Sequence, residues 1–478
     1  MSLFYRPENA WVGDLIPYYE DGTFYAYYLH DPRIIEGKYA EETTWHLATT
    51  KDFVQVDYQG EAIKRGTKES YNLNNYTGSI IKDAQGKYHA FYTAFNENKP
   101  FVNGKSVQLV MKAVGESLYE LETDPNFLFP SDGKIYEEFD WRDPFVFWVE
   151  EEQCYFMLLA SRRQGAGDLR GGCISLSKPK DLETWEYCEP FYDPKMYITM
   201  ECPEVFKMGE YWYLVFSTFS DRFTTHYRYA KSLEGPWIIP ADDVFDTRAN
   251  YAIKTASDGE RRIAFGWVAT KEGETDFGPW DWGGTMIFHE LLQNPQTGEL
   301  KAVMIDSVGE FFVEKSEISA PVFYNDHSND KNKVASDTLG AMLFDSPSDT
   351  FSVTVDFDVL KAKEFGIALH VDEGMETGYF LRMLPEQQLI AWDLWPRAEK
   401  GEYQWQIKGD IPYQVETSRL LPKASRYRVC VLREGSMCVV YVNDEIALST
   451  RLYNHSGKKV GVYVVQGEVV LHEIEIKE

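Results

Sequence analysis

Five segments in the first 300 residues repeat one pattern: a polar residue, an apolar strand, a tight turn and an aromatic-rich return strand. They begin near Gly13, Thr77, Arg142, Glu201 and Tyr251, a spacing of about 50 to 65 residues. Turn sequences such as EDG, AQGK and SDGE are hairpin chemistry, and further strand-like sequence follows each pair. Four short strands per repeat are typical of a propeller blade, so the pattern predicts a five-bladed β-propeller. A sandwich built of hairpins is the alternative, and the recurring strand order favours the propeller.

The pattern changes after about residue 318. Apolar residues alternate with polar ones at Phe351, Val353, Val355, Phe357 and Val359, which indicates a half-buried strand. Several such strands at short spacing predict an antiparallel β-sandwich. We therefore predict an all-β chain with a five-bladed propeller domain over 1–317 and a β-sandwich domain over 318–478. The polar stretch 319–337 is expected to form a loop.

Three of the five repeats carry a carboxylate close to their start: Asp14, Asp143 and Glu201. The first strand of each propeller blade lines the central channel, so we expect these carboxylates to meet at one mouth of it. One isolated acid at a strand start is usually a solvated turn residue, but three in register point to a site. Such a set could also hold Ca²⁺ or Mg²⁺. Apolar strand rather than oxygen-rich loop follows each acid, so we expect neither a metal nor a cofactor.

The composition narrows the class of ligand. Aromatic residues make up 15 % of the chain; their flat rings suit pleated sheets and also stack on sugars. The net charge of −28 would repel a phosphate backbone, so nucleic acid is not expected as a partner. The aromatic content favours a small-molecule carbohydrate, to which the charge is indifferent. The sequence contains no run of 18 apolar residues, so no membrane-spanning helix is predicted.

The six cysteines show no CxxC or zinc spacing, and the first residues show no signal-peptide pattern. A cytoplasmic enzyme is the expectation, although removal of a leader would leave the same sequence. Whether the chain forms a homo-oligomer stays open.

Grouped carboxylates suit the cleavage of a glycosidic bond. One carboxylic acid protonates the leaving oxygen while a second carboxylate attacks or supports the anomeric carbon. The acid needs a raised pKa, which neighbouring negative charges supply by opposing ionisation. A nucleophile, an acid/base and a residue that binds sugar hydroxyls would account for all three acids.

The motifs around these acids resemble those of glycoside hydrolase family 32, the invertases, inulinases, levanases and related fructosidases. The Arg-Asp-Pro and Glu-Cys-Pro motifs of the family are matched in full, and its Trp-x-Asn-Asp, Trp-Gly-His-Ala, Phe-Ser-Gly-Ser and fifth-blade motifs in part. The matching segments are Arg142-Asp143-Pro144, Glu201-Cys202-Pro203, Trp11-Val12-Gly13-Asp14, Trp45-His46, Tyr76-Thr77-Gly78-Ser79, Asn250-Tyr251-Ala252 and Gly266-Trp267.

The resemblance implies a retaining hydrolase of β-fructofuranosidic bonds, with Asp14 as nucleophile and Glu201 as general acid/base. It also implies that Asp143 and Arg142 hold sugar hydroxyls. The substrate-binding candidates drawn from these motifs and their surroundings are Trp11, His30, Trp45, Thr77, Ser79, Arg142, Tyr251 and Trp267. Core packing is the favoured interpretation for Trp45. Trp280 and Trp282, in a segment rich in Gly and aromatics, are further candidates for the rim.

The sequence departs from the family pattern at two places that commonly contact sugar. Gly13 stands where the family has Asn, with Leu15-Ile16-Pro17 for Pro-Asn-Gly, and Tyr28-Leu29-His30-Asp31 stands for Tyr-Gln-Tyr-Asn. His30 is therefore considered as a replacement for a missing amide. The departures leave three alternatives open: a fructosyltransferase, a hydrolase of another furanoside and a catalytically silent sugar-binding protein.

Overall fold

The computed structural model describes residues 2–35, 38–39, 42–179, 181–346, 349–396 and 419–478. Its first part consists of five antiparallel blades. The strands of the first three are β1 (Trp11–Glu20), β2 (Thr23–Asp31), β3 (Ile34–Ile35), β4 (Lys38–Tyr39), β5 (Thr44–Thr50), β6 (Val56–Ile63), β7 (Asn74–Lys82), β8 (Tyr88–Phe95), β9 (Leu109–Ser117), β10 (Glu120–Phe129), β11 (Tyr136–Val149), β12 (Cys154–Arg163), β13 (Gly172–Pro179) and β14 (Trp185–Tyr187). The fourth and fifth blades comprise β15 (Glu201–Met208), β16 (Tyr211–Thr218), β17 (Thr224–Ala230), β18 (Asn250–Ser257), β19 (Arg262–Lys271), β20 (Trp280–Gln293) and β21 (Leu300–Val303).

The first strands of the blades form the closed inner ring. Each packs against the first strand of the next blade, in the order β1, β7, β11, β15, β18 and back to β1. Within each blade the following strands pair outward in chain order, with the small β3–β4 hairpin inserted in the first. The five-bladed propeller predicted from the repeat is therefore confirmed.

The hairpin turns explain why the repeats fold locally. Glu20 pairs with Thr23 across the two-residue turn Asp21-Gly22, where both residues have positive φ, 48° and 75°. That conformation matches the right-handed twist of the flanking strands and favours Asp-Gly. The turn thus fixes the register of the first blade from the sequence alone.

A 3-10 helix, Glu272–Glu274, lies between β19 and β20 of the fifth blade. A second all-β unit follows the short helix α1 (Asp306–Gly309), and its described residues contain no helix. Its strands are β22 (Val322–Tyr324), β23 (Lys333–Asp345), β24 (Thr350–Lys361), β25 (Glu364–Val371), β26 (Gly378–Leu384), β27 (Leu389–Trp395), β28 (Arg419–Leu420), β29 (Arg426–Glu434), β30 (Met437–Val442), β31 (Ile446–Arg451) and β32 (Lys459–Lys477). The expectation of a loop over 319–337 is wrong in part, because β22 and the start of β23 lie there. β22 pairs with the later part of β23, and β23 pairs with β32 near the end of the chain. The polar composition of the segment does not reveal such pairing.

The long last strand joins the two layers of this sandwich. The first half of β32 pairs with β23 and β25, and the second half pairs with β24. Apolar side chains from both layers, among them Val355 and Ile367, meet in one buried cluster. The predicted β-sandwich is therefore confirmed as the fold of the C-terminal part.

The sandwich is docked on the propeller through buried polar contacts as well as apolar ones. Leu432, Val439 and Tyr441 belong to the same buried cluster as propeller residues. The Asp246 carboxylate accepts hydrogen bonds from the backbone N–H (2.7 Å) and hydroxyl (2.5 Å) of Ser449 on β31. Buried polar groups need such partners, so the contact fixes one orientation of the two parts. Among the described residues no helix is long and apolar enough to cross a membrane.

Candidate active site

One cavity at the end of the propeller channel contains all three predicted acids. Its volume is about 620 Å³, within the range of small-molecule sites. The lining residues are Asp14, Leu29, Asp31, Thr43, Tyr76, Thr77, Phe95, Gln108, Arg142, Asp143, Glu201, Cys202, Phe219, Phe223, Tyr251 and Trp282. Acids and aromatic rings therefore surround the same space.

A bulge in every inner strand turns these side chains into the channel. At the same point of each blade, two residues of the first strand face a single residue of the second. The bulged pairs are Gly13-Asp14, Tyr76-Thr77, Asp143-Pro144, Cys202-Pro203 and Ala252-Ile253. Bulges redirect side chains and are common beside active sites.

The three acids do not hold the same position in their blades. Glu201 lies just before its bulge, Asp143 is the first residue of its bulge and Asp14 is the second. The sequence repeats place the three acids at equivalent positions. The strand register shows instead that they are offset from one another by one residue each. Asp143 has a φ of 59° and Cys202, at the matching place in the fourth blade, a φ of 50°. Such left-handed backbone is costly for residues other than glycine and is typical of functional sites.

Asp14 is deep in the protein but keeps part of its surface open to the cavity. The Thr77 hydroxyl donates a hydrogen bond to Oδ2 (2.5 Å), and the Trp267 indole N–H donates one to Oδ1 (3.0 Å). Burial raises the pKa of Asp14 to about 7; the Thr77 hydrogen bond opposes the rise, while the charges of Asp143 and Glu201 add to it. The Asp14 carboxyl group therefore gains or loses its proton near neutral pH.

Arg142 links the other two acids. Its Nη2 lies 3.0 Å from Glu201 Oε1 and its Nε lies 3.9 Å from Asp143 Oδ2. The Tyr251 hydroxyl donates to the second Glu201 oxygen, Oε2, at 2.5 Å, so the orientation of the Glu201 carboxyl is fixed on both sides. Burial raises the pKa of Asp143, and the Arg142 charge opposes that rise.

Asp143 is held mainly by backbone and thiol groups. The N–H of Cys202 donates to Asp143 Oδ2 at 3.0 Å. The Cys202 sulfur lies 3.7 Å from Asp14 Oδ2 and 3.8 Å from Asp143 Oδ2. The thiol therefore packs between two carboxylates, and burial raises its pKa, which leaves it a poor nucleophile.

The cavity brings together Thr77, Arg142 and Tyr251 of the predicted substrate-binding residues, along with the acids. The other predicted contacts lie outside its lining. Trp267 is buried behind Asp14, and its role there is the hydrogen bond to the carboxylate. Ser79 is buried and accepts a hydrogen bond from the N–H of Val146 (2.9 Å), which joins the second and third blades.

Trp11 and His30, two further predicted contacts, do not line the cavity, and Trp45 has the core position favoured for it from the sequence. Trp45 is buried in the core, where its indole N–H donates to the carbonyl of Tyr76 (2.9 Å). Trp11 does not line the cavity, and the Arg33 guanidinium stacks on its ring at 4.1 Å. His30 stacks on His46, with ring centroids 4.0 Å apart. Side chains alternate along β2, so Leu29 and Asp31 face the cavity and His30 points to the opposite side.

Sequence reasoning missed most of the aromatic lining. Phe219 and Phe223 follow β16, and both are exposed, at 41 % and 39 %. Nothing in their local sequence distinguishes them from ordinary loop residues. Leu29 and Asp31 could have been found from the alternation of β2. Trp282 was among the candidates for the rim, and it does line the cavity.

A second chamber of about 460 Å³ adjoins the first. The two share Phe95, Gln108, Arg142 and Glu201, so Glu201 lies where they meet. Phe139, which is 45 % exposed, lines the outer chamber. The site can thus accept a ligand that extends past Glu201.

Comparison with known proteins agrees with this architecture. The model of the glycosyl hydrolases family 32 N-terminal domain matches residues 5–301. The chain is 21 % identical over 490 residues to a sucrose-6-phosphate hydrolase of Escherichia coli, covering 97 % of this chain and 92 % of that protein. It is 22 % identical over 217 residues to an invertase of Wickerhamomyces anomalus, covering 43 % of this chain and 36 % of the invertase. It is 26 % identical over 215 residues to a levanase of Bacillus subtilis, covering 43 % of this chain and 28 % of the levanase. The chain thus matches about a third of the length of these last two relatives.

Solved structures share the fold over nearly the whole chain. A sucrose-6-phosphate hydrolase from Lactobacillus gasseri superposes with a TM-score of 0.71 at 15 % identity, covering 98 % of this chain and 90 % of that one. An exo-inulinase from Aspergillus awamori gives a TM-score of 0.72 at 14 % identity, with 99 % and 96 % covered. The family model covers more than half of the residues, and the chain belongs to glycoside hydrolase family 32.

Proposed function

We propose that this protein is a retaining glycosidase that hydrolyses β-fructofuranosidic bonds. The observation that carries the proposal is the single cavity that Asp14, Asp143 and Glu201 enter from three different blades. Family membership supports the chemistry. The names of its relatives, an invertase, a levanase and a sucrose-6-phosphate hydrolase, support the fructofuranoside as substrate.

In the proposed mechanism Asp14 attacks the anomeric carbon while Glu201 protonates the leaving oxygen. Hydrogen bonds from Thr77 and Trp267 hold both Asp14 oxygens, so the carboxylate needs no reorientation during attack. Arg142 and Tyr251 hold the Glu201 carboxyl at the entrance to the outer chamber. After departure of the first product, Glu201 accepts a proton from water, which then hydrolyses the fructosyl–Asp14 ester with net retention.

Asp143 would bind sugar hydroxyls rather than take part in bond cleavage. Its Oδ2 is occupied by the N–H of Cys202 and lies near Arg142, and the residue lines the same cavity as the two reacting acids. A fixed carboxylate in this place accepts hydrogen bonds from two neighbouring hydroxyls of a furanose. The outer chamber, bounded by Phe95 and Phe139, would hold the leaving group.

The test is turnover on a panel of sucrose, kestose, inulin, levan and an aryl furanoside, with released sugar measured. Asp14→Ala and Glu201→Gln should each lower kcat by at least about 1000-fold, because each removes a reacting group. Thermal unfolding of both variants controls for folding. Turnover that survives either substitution would contradict the roles assigned here.

Methanolysis tests retention directly. A retaining enzyme in aqueous methanol transfers the fructosyl group to methanol with two inversions and yields the methyl β-fructofuranoside. The α-anomer would contradict a covalent Asp14 intermediate. The ratio of methyl fructoside to fructose also measures how readily an acceptor other than water is used, which separates hydrolase from transferase behaviour. Binding of every furanoside without cleavage would instead support a sugar-binding protein.

A further inference from the structure

Gly13 and Trp282 compete for the same space beside Asp14. A Cβ atom placed on Gly13 would lie 2.2 Å from Cη2 and 2.5 Å from Cζ2 of the Trp282 indole. Carbon atoms that are not bonded to each other stay about 3.5 to 4 Å apart. The indole therefore lies directly on the backbone of the residue that precedes Asp14, and only glycine at position 13 permits this.

The main chain delivers the Trp282 side chain to this place. Between the pairs Ala269–Gly284 and Thr270–Asp281 the register of β19 and β20 jumps, which leaves Trp282 and Gly283 outside the ladder. Gly283 has a φ of +81°, a conformation that glycine adopts without cost. The indole thus projects from the fifth blade over the bulge of the first.

Arg33 holds this segment from behind. Its Nη2 donates to the carbonyl oxygens of Trp282 (2.5 Å) and Gly283 (3.1 Å). Its Nη1 forms an ion pair with Asp281 at 3.1 Å. The position of the indole is therefore built into the fold and does not depend on a bound sugar.

Trp282 is also connected to the reacting group. Its ring meets that of Trp267 edge-on, with centroids 5.7 Å apart and planes at 60°, and Trp267 donates to Asp14. Trp282 nevertheless stays 40 % exposed and lines the cavity. Leu29, which lines the same cavity, is apolar as well. A sugar held at Asp14 would meet an apolar surface here rather than hydrogen-bonding side chains.

We propose that Gly13 and Trp282 form a coupled pair that supplies the apolar contact for the sugar held next to Asp14. The indole supplies the wall next to Asp14 that a side chain at position 13 would otherwise supply. It binds the C–H face of a furanose, and the hydroxyls that are recognised are those directed at the acids. The inference deepens the proposed function and rests on it for the identity of the ligand as a furanose.

A double-mutant cycle tests the coupling. The variants are Trp282→Ala, Gly13→Ala and the double variant, and the measurements are the Kd of fructose by calorimetry, together with kcat and KM for the substrate that is cleaved best. Trp282→Ala should weaken fructose binding about tenfold, the equivalent of about 1.4 kcal/mol. Gly13→Ala should have a similar effect, because the methyl group displaces the indole. The double variant should be no weaker than either single one, because the methyl group then has nothing to displace.

Trp148→Ala is the matched control. Trp148, at the end of β11 outside both cavities, is 42 % exposed and donates to Glu150, so its removal should leave the Kd of fructose unchanged. Thermal unfolding of all variants excludes a loss of folded protein. Two independent, additive effects, or unchanged binding in Trp282→Ala, would overturn the coupled pair while leaving the proposed function intact. A wild-type protein that binds no furanose would overturn both.

Discussion

The hydroxyl of Thr77 in the second blade donates a hydrogen bond to the carboxylate of Asp14 in the first, with 2.5 Å between Oγ1 and Oδ2. The bond crosses between two blades whose inner strands share the same bulge, and each residue is the second of its bulged pair. It favours the ionised form of Asp14 in a place where burial favours the protonated form. The ionisation of the proposed nucleophile is therefore set by this balance.

We predict that the wild-type enzyme loses activity on the acid side with a midpoint near pH 7. The pKa of Asp14 is raised to about 7 by burial and, further, by the charges of Asp143 and Glu201. A nucleophile must be ionised, so kcat/KM should fall about tenfold per unit as the pH drops below that value. The measurement is the pH profile of kcat/KM, which reports on the free enzyme. An acid limb near pH 4 would mean that Asp14 ionises as an ordinary carboxyl group.

Thr77→Val should move this acid limb to higher pH. The hydrogen bond lowers the pKa of Asp14, and a bond to a charged group contributes about 1.5 to 3 kcal/mol. One pH unit corresponds to about 1.4 kcal/mol, so a shift of about one unit or more is expected. Thr123→Val, in the same blade but bonded to Tyr92, is the matched control and should leave the profile in place. A lower kcat/KM at every pH with no shift would refute the role in ionisation.

Asp14→Asn should stabilise the protein at neutral and alkaline pH. In the folded state the raised pKa means that ionisation of Asp14 costs stability as the pH rises from about 4 to about 7. Asn carries no charge, so above pH 7 the variant avoids the free-energy cost of a buried charge, which is on the order of 2–4 kcal/mol. The weaker hydrogen bonds of Asn offset part of this gain. At pH 4 the side chain at position 14 is neutral in both folded proteins, so the cost of ionisation is absent and only the difference in hydrogen bonds remains. Thermal or denaturant unfolding at pH 4 and pH 8 measures it, and equal stabilities at pH 8 would contradict the prediction.

Asp246→Ala should weaken the docking of the sandwich on the propeller. Burial opposes ionisation of Asp246, but hydrogen bonds from His289 and Ser449 outweigh it and hold the pKa at about 2. Because the folded pKa lies below its unfolded value, this stabilisation is present above about pH 4 and is lost as the pH falls toward 2. Removal of one partner from a buried charged network costs about 3–5 kcal/mol.

Calorimetry of Asp246→Ala at pH 7 is the measurement. The wild type should unfold in one transition, because buried polar contacts and a shared apolar cluster join the two parts. The variant should unfold at lower temperature or in two steps. Glu210→Ala, in the exposed turn between β15 and β16 where Glu210 pairs with Lys231, is a control expected to leave the unfolding temperature unchanged. Equal losses in the two variants would contradict a special role for Asp246.

Local sequence determined the class of fold and the family. Turns such as Asp21-Gly22 and the period-two alternation from Phe351 to Val359 act over a few residues, so they are visible without a structure. The motifs around Asp14, Asp143 and Glu201 are likewise short, and the family they indicate is confirmed.

Tertiary structure decided which of the predicted residues face the substrate. Trp45, Trp11 and His30 lie in or beside the right motifs, yet strand alternation and packing turn them away from the cavity. The acids converge at or directly beside the bulges of their inner strands, and a bulge is a relation between two strands that neither sequence encodes alone. The same holds for Gly13 and Trp282, which are 269 positions apart in sequence and share one volume because the fifth blade closes against the first. Side-chain identity sets the chemistry that is available, and closure of the propeller sets which side chains meet.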